Sequence, residues 1–420
     1  MNKAITVAIA GCGSRGMDTY GRIIQESLKD KFQVVALADI RPERLENARE
    51  ICNVPENMCF NSAEDMLKQD KLADVMFICT PDRCHYTQAK KALELNYHLL
   101  LEKPIAGKTE ELLEIERLAS KNKRHVVVCH VLRYTVYYQK LKEIINSGAI
   151  GKLMSIASVE GVGFWHQAHS FVRGNWANSD ETSPMILQKC CHDFDTFLWL
   201  SGKHAKRVSS FGHLSYFKEE NAPEGSTARC TDDCKVKNSC PYNAEDFYMQ
   251  QLKNGTKGWP VNVLCLDPTE EKVLEALKTG PYGRCVFRCD NNVVDHQVVN
   301  LDMEDGLTLS FTMCAFTEQV GRTIRLMGTL GEIQGDLENN IIKVIPFKGE
   351  KQIIDISKLT EDFSGHSGGD KRMLEEFAKL LETGKSASGL ISSIGDSVES
   401  HIIALAAEKS RLNDGEVVEL

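Results

Sequence analysis

Ala4-Ile5-Thr6-Val7-Ala8-Ile9-Ala10-Gly11-Cys12-Gly13-Ser14-Arg15-Gly16 decides the fold of this chain. An apolar run suited to a buried strand passes straight into a glycine turn, and Arg15 to Leu28 continues as a helix. Each glycine has a task in that turn. Gly11 permits the tight bend, Gly13 lets backbone approach a pyrophosphate, and Gly16 lets the helix pack closely on the strand. The helix then presents its N–H groups and positive dipole end to an anion. Gly11, Gly13, Ser14, Arg15 and Gly16 are therefore expected to hold a dinucleotide.

Working outward, the first 130 residues alternate between strand and helix patterns. Gln33–Asp39 is a second strand, Pro42 opens a helix carrying Leu45, Ala48 and Ile51, and Ala73–Cys79 is a continuous apolar strand. Helix Asp82–Leu95, strand His98–Leu101, a helix capped by Thr109 and strand Val126–Cys129 follow. This rhythm predicts an α/β fold with a doubly wound parallel sheet, a Rossmann domain over residues 1–130. Asp39 ends the second strand 23 residues beyond Gly16, where a carboxylate holds the adenosine ribose hydroxyls and repels a 2′-phosphate. It favours NAD over NADP. Arg41, two residues on, stacks on adenine or reaches toward a 2′-phosphate.

Val136–Ser147 reads as a linking helix, after which the pattern changes. Lys152–Glu160, Val208–Phe211, Cys285–Cys289, His296–Leu301, Leu307–Cys314, Thr323–Gly328 and Ile341–Pro346 read as strands of a large open, mostly antiparallel sheet. They define a substrate and oligomerisation domain over 131–390, interrupted by a loop-rich, Cys-containing insertion at 218–262. Lys371–Leu381 and Ile394–Arg411 are amphipathic helices, and residues 391–420 form a helix and tail expected to pack back on the first domain.

Two further turns lie at the carboxyl edge of the parallel sheet, where ligands bind in such folds. Thr80 and Pro81 end one strand and should line the cofactor, with Asp82 as a helix cap and His85 as a first-turn residue exposed to solvent or near the site. Glu102-Lys103-Pro104 ends the next. A lysine there is unusual because burial disfavours the ammonium. Held in place, it donates to a substrate hydroxyl and stabilises a developing alkoxide; its other reading is an ion pair with Glu102.

In order and spacing, the glycine loop, Asp39, Thr80-Pro81-Asp82 with His85, Glu102-Lys103-Pro104 and Arg133-Tyr134 resemble the Gfo/Idh/MocA oxidoreductases, the family of glucose–fructose oxidoreductase and inositol dehydrogenase. The resemblance covers the chain outside the insertion. It implies an NAD(P)-dependent enzyme acting on CH–OH groups of sugars, amino sugars or cyclitols, and a homodimer or homotetramer built through the open sheet. It also implies a helix, here Pro184–Leu200, bearing an aspartate four residues before a histidine. His192 matches that histidine, but Gln188 stands at the aspartate position, and Lys189 adds a cation. Catalytic expectations are therefore Lys103, His192 as general acid/base, and Lys189. Because of the missing carboxylate, a second reading stays open: a redox-neutral glycosidase or anhydrosugar hydrolase using tightly bound NAD in transient oxidation, elimination, hydration and reduction.

The segment from Phe164 to Trp176 is dense in aromatic, His and Arg residues. Such a stretch suits a sugar, with rings against C–H faces and polar tips on hydroxyls. His166, His169, Arg173, Trp176 and Gln188 are the substrate-contact expectations. Cys230, Cys234 and Cys240 stand within eleven residues and read either as a structural zinc site, with Cys285, Cys289 or His213 as fourth ligand, or as plain reduced thiols. The net charge of −9 and the lack of a basic stripe argue against nucleic acid. No apolar run reaches membrane-helix length, and no secretory signal precedes the first strand, so a cytoplasmic protein with reduced thiols is expected.

Overall fold

The computed structural model describes residues 4–386 and 388–420. β1 (Ile5–Ala10), β2 (Phe32–Ala38), β3 (Cys59–Phe60), β4 (Val75–Ile78), β5 (His98–Leu101) and β6 (Val126–Val128) form a six-stranded sheet in the order β3-β2-β1-β4-β5-β6. Every pairing in it is parallel. All four residues of β4 are buried. That burial is why its sequence is an unbroken apolar run, as for strands covered on both faces by helices. The order reverses between β1 and β4, which opens a crevice at their carboxyl ends. The glycine loop leaves β1 at that edge, Thr80 follows β4, and Lys103 follows β5.

β7 (Leu153–Gly161), β8 (Ala205–His213), β9 (His296–Met303), β10 (Thr308–Cys314), β11 (Gly321–Gly328), β12 (Gly331–Asp336), β13 (Ile341–Pro346), β14 (Gln352–Asp355) and β15 (Val418–Glu419) form the second sheet. Its order is β14-β13-β12-β11-β7-β10-β9-β8-β15, antiparallel except where β10 runs parallel to β7. Alternate residues of β10, Leu309, Phe311 and Met313, are buried. Phe311 packs edge-on against Phe194 and Phe197 of the helix Met185–Ser201, at 5.5 and 5.7 Å between ring centres. The sheet thereby fixes the orientation of the helix that carries His192.

Several expectations need correction. Cys285–Cys289 is a turn, closed by Arg288 N–H on the Cys285 carbonyl. Its neighbours Val286 and Phe287 are both buried, a pattern no half-covered strand allows, and fill a small core with Phe217 and Tyr242. The insertion extends over the whole connection from β8 to β9, residues 214–295, and contains helices Ala244–Lys253 and Glu270–Thr279. Lys108, not Thr109, precedes the helix Thr109–Asn122 at its cap. The first helix opens as a widened π-helical segment, Ser14–Gly21, before Arg22–Ser27 continues as α-helix.

The helix Gly369–Thr383, which sequence order assigns to the second domain, buries Met373, Leu374 and Phe377 in the core of the first sheet with Val7, Ile9 and Phe77. The helix Ile394–Leu412 serves both cores: Ile394 and Val398 pack with the parallel sheet, Ile403, Ala404 and Ala407 with the other. The C-terminal helices thus stitch the two sheets together. Among the described residues, no helix is long and apolar enough to cross a membrane.

Candidate active site

The glycines of the first turn answer to different constraints. A Cβ on Gly11 (φ +89°) would stand 2.6 Å from the Cys79 carbonyl oxygen, and one on Gly16 would stand 1.9 Å from that of Gly11. Backbone packing alone demands both. A Cβ on Gly13 would meet nothing within 4 Å. The open flank of Gly13, at the start of a helix and at the switch point, fits the pyrophosphate of a dinucleotide. Gly13→Ala should therefore fold with wild-type thermal stability yet lose NAD affinity by about tenfold or more. Calorimetric titration with NAD checks this, and unchanged affinity would refute the role given to that flank.

Arg15 braces the loop. Its Nε donates to Glu102 Oε1 at 2.6 Å and its Nη2 to Asp370 Oδ1 at 2.6 Å, while Tyr20 Oη donates to the same Glu102 oxygen at 2.6 Å. Burial alone would raise the Glu102 carboxyl; the guanidinium and phenol outweigh it and hold the group below its ordinary range. Glu102 is thus spent on Arg15 rather than on Lys103. Asp39 accepts from the backbone N–H groups of Cys12 and Arg41, at 2.7 and 2.8 Å. The Arg41 side chain bonds Glu43 at 2.8 Å. Thr80 Oγ1 donates to Gln88 at 2.7 Å. His85 is buried, with its ring nitrogens 2.6 Å from the Pro104 carbonyl and 2.8 Å from that of Thr80. It clamps the two turns together, which corrects the reading of a solvent-exposed residue. Asp82 accepts from Ser183 Oγ at 2.6 Å and so reaches across to the second half of the chain.

Lys103 crosses the crevice. Its Nζ donates to the backbone carbonyl of Gln188 at 2.7 Å, in the first turn of the helix Met185–Ser201. His192 lies one turn further along, so the ammonium and the imidazole share one end of this helix. Burial lowers the pKa of both groups; the Lys103 charge is the next cause for His192, and Lys189 lowers Lys103 further. Lys189 does not face open solvent. It pairs at 3.0 Å with Glu160 of β7, which also lies 2.9 Å from Arg322 of β11, and Arg322 bonds Asp193 at 2.7 Å. This ion network ties the helix to β7 and β11. Sequence gives little sign of it, since Glu160 and Arg322 are single charges on strands.

The expected substrate residues divide. His166 Nδ1 and Gln188 Oε1 are buried without a hydrogen-bond partner, as polar atoms reserved for a ligand would be. His169 is bonded to Tyr248 Oη at 2.6 Å and stacks on Tyr282 at 4.9 Å. Arg173 is committed to the backbone carbonyls of Arg284 and Tyr242, each at 2.7 Å, so it holds the insertion in place and leaves no fork for a substrate carboxylate. Trp176 packs on Phe171 at 6.0 Å.

The insertion supplies residues that sequence order conceals. Trp259 lies 5.1 to 5.5 Å, ring centre to ring centre, from Trp165, His166 and His169. Asn262 Nδ2 donates to Asp18 at 2.9 Å beside the glycine loop, and Arg44 donates to the Asn262 carbonyl at 3.3 Å. The insertion thus docks on the helices that follow β1 and β2, beside the glycine loop. Asn262→Ala should raise the NAD dissociation constant several-fold, mainly through faster release, as stopped-flow fluorescence of NADH would show.

Cys230, Cys234 and Cys240 do line one narrow cavity with Cys285. Arg173 Nη2 lies 3.6 Å from the Cys230 sulfur, so a fixed cation already occupies this side of it. Cys289 turns to the Cys285 carbonyl at 3.3 Å, and the His213 ring lies 6.2 Å from that of His296. Among the described residues no group of three or more His, Cys, Asp or Glu is placed to hold a metal ion, so the structural zinc is not supported.

Comparison with known proteins agrees with this architecture. Residues 5–130 match the model of an oxidoreductase family with an NAD-binding Rossmann fold, and residues 138–254 match that of the GFO/IDH/MocA C-terminal domain. YteT of Bacillus subtilis, assigned as an oxidoreductase, is 24% identical over 388 residues, 88% of this chain and 87% of that one. An inositol 2-dehydrogenase of Corynebacterium glutamicum is 27% identical over 209 residues, 50% of this chain and 57% of the relative, so the match spans little more than half of that enzyme. Among solved structures, an inositol dehydrogenase homologue complexed with NAD+ from Azotobacter vinelandii superposes with a TM-score of 0.71 at 16% identity, covering 100% of this chain and 98% of the other. A scyllo-inositol dehydrogenase from Lactobacillus casei with bound NAD(H) and scyllo-inositol gives 0.67 at 17%, covering 99% of each.

Proposed function

Because the chain belongs to the GFO/IDH/MocA family of NAD-binding oxidoreductases, we propose that it exchanges a hydride between NAD and a ring hydroxyl of a cyclitol, sugar or amino sugar. The observation that carries this reading is the bond from Lys103 Nζ to the Gln188 carbonyl, which brings an ammonium from the cofactor sheet to the helix of His192. Bound NAD supplies a hydride acceptor at the nicotinamide ring. The remaining work falls to side chains of this chain. Lys103 donates to the substrate oxygen and stabilises negative charge as the O–H proton leaves. His192, kept neutral by burial and by Lys103, accepts that proton. Asp39 receives the ribose hydroxyls and repels a 2′-phosphate. The exposed ring of Trp259 and the unpaired atoms of His166 and Gln188 suit a polyol ring. The inositol dehydrogenases among the relatives support a cyclitol first.

The test is incubation with NAD and a panel of inositols, aldoses and amino sugars, read both at 340 nm and by product analysis. Net NADH formation is expected. Product without NADH would favour the redox-neutral reading, and neither would overturn the proposal. With the imidazole pKa held well below 6.5, the acid limb of kcat should also fall below pH 6.5, because the required base form persists there. A kcat that declines already near neutrality would contradict a neutral His192.

A further inference from the structure

A histidine that acts as a base needs its second ring nitrogen bonded, or its tautomer is unspecified. Gln188, one turn before His192, does not meet this need, since its Oε1 has no hydrogen-bond partner. The ring contact present is with His130, two residues past the end of β6. The two Nδ1 atoms lie 3.4 Å apart and the rings meet edge to face, at 79° and 5.4 Å between centres. His130 is fully buried, and its Nε2 has no hydrogen-bond partner. That nitrogen lies 3.9 Å from Asp195 Oδ1. Arg133 grips the Asp195 carboxylate through two bonds, at 2.5 and 2.6 Å. His401, whose ring centre is 5.5 Å away, accepts from Ile105 N–H at 3.0 Å through Nε2, with its Nδ1 2.8 Å from the Ser397 carbonyl. These bonds specify a neutral His401 with the proton on Nδ1.

We propose that His130 is a positioning residue for proton transfer: its Nδ1 accepts the Nδ1–H of His192, so that Nε2 is the basic nitrogen His192 offers to a substrate. The inference rests on the role given to His192 above. In the oxidising direction the substrate O–H proton passes to His192 Nε2, and the C–H electron pair leaves as hydride to NAD. The imidazolium keeps its Nδ1–H on His130, and Nε2 later returns its proton to water. His130 stays neutral throughout. The charged groups facing the pair favour this. Lys103 and Arg322 act on His192, and Arg133, Lys103, Glu102 and Asp195 act on His130. Burial, with Arg133 and Lys103 next, disfavours a second positive charge on His130, while Asp195 offsets the transient charge on the pair.

The experiment compares His130→Ala, His130→Asn and His130→Asp with His192→Asn as control, in the full-length enzyme with NAD. Wild-type NAD affinity and melting temperature establish that a variant is folded. His130→Ala should lower kcat about tenfold or more with KM little changed. His130→Asn should recover part of that loss, because its amide oxygen can accept the same bond. His130→Asp should move the acid limb of kcat to higher pH by about one unit, since a carboxylate partner favours imidazolium. Wild-type kcat and pH profile in His130→Ala would overturn the proposal. So would equal losses in all three His130 variants with the acid limb unmoved, the signature of packing alone. If His192→Asn retains full turnover, the assignment of His192 itself fails. Should the His130 variants not fold, 15N spectra of histidine-labelled wild-type enzyme decide: the proposal requires the Nδ1–H tautomer at His192, and the opposite tautomer overturns it.

Discussion

Lys103→Met should lower kcat by about two to three orders of magnitude while leaving NAD affinity within a few-fold of wild type. Methionine nearly matches the length of lysine and fills the same space. The loss is therefore electrostatic: the ammonium that reaches from the cofactor sheet to the first turn of the His192 helix is removed. Burial lowers the Lys103 pKa, with Lys189 adding to the effect, so part of the ammonium's solvation is already surrendered in the free enzyme. Its donor is then available to a developing alkoxide without reorganisation of water. Arginine should not rescue, because its planar fork cannot replace a compact ammonium bonded to one carbonyl. Steady-state kinetics on the best substrate of the panel, with NADH binding measured separately, check this. A Lys103→Met enzyme with more than a tenth of wild-type kcat would remove Lys103 from the proposed chemistry.

The second large effect is expected in stability. Burial holds His169 and His401 to about 3, against an ordinary value of 6.5. His130, His166 and His192 are displaced in the same direction. A depressed folded pKa means that, below about 6.5, the unfolded chain binds protons that the folded one does not. Stability is thus complete above the unfolded pKa and is lost as pH falls toward the folded value. Each such group removes about 1.4 kcal/mol per pH unit. His169 and His401 alone would account for about 4 kcal/mol by pH 5. Most of a typical domain's margin is of that order. Carboxylates held low by ion pairs, such as Asp370 and Glu102, begin to contribute only further into acid. Urea unfolding at pH 7.5 and pH 5 checks the sign and size. Equal free energies at the two values would mean that these imidazoles carry protons in the folded protein.

Both effects concern side chains whose placement differs greatly in how well it can be read from sequence. Lys103 announces itself, because a lysine at the end of an apolar run needs a reason to be there. His169 and His401 do not: one meets Tyr248 from the insertion, the other meets Ile105 from nearly 300 positions away. The same contrast holds for Glu160 and Arg322. Each is a single charge on a strand until the register of β7 with β11 sets them side by side, with Glu160 against Lys189. Arg173 shows the converse. Its aromatic neighbourhood suggests ligand recognition, whereas its guanidinium is satisfied by two backbone carbonyls of the insertion.

Local chemistry settled the parallel sheet and its glycine turn. The φ of Gly11, the close packing at Gly16 and the two-sided burial of β4 are short-range requirements that leave direct marks on residue choice. The antiparallel second sheet was legible as strands, but not β12, whose inward positions are Gly331, Ile333 and Gly335, nor the largely exposed β14, nor the two-residue β15. Tertiary structure alone decided the rest: the insertion meeting Asp18 and Arg44, the helix Gly369–Thr383 joining the first core, and His130 meeting His192. Those contacts join segments far apart in the chain, so no spacing or periodicity records them. What selects them is the burial of paired charges and rings, which exists only once the sheets have packed.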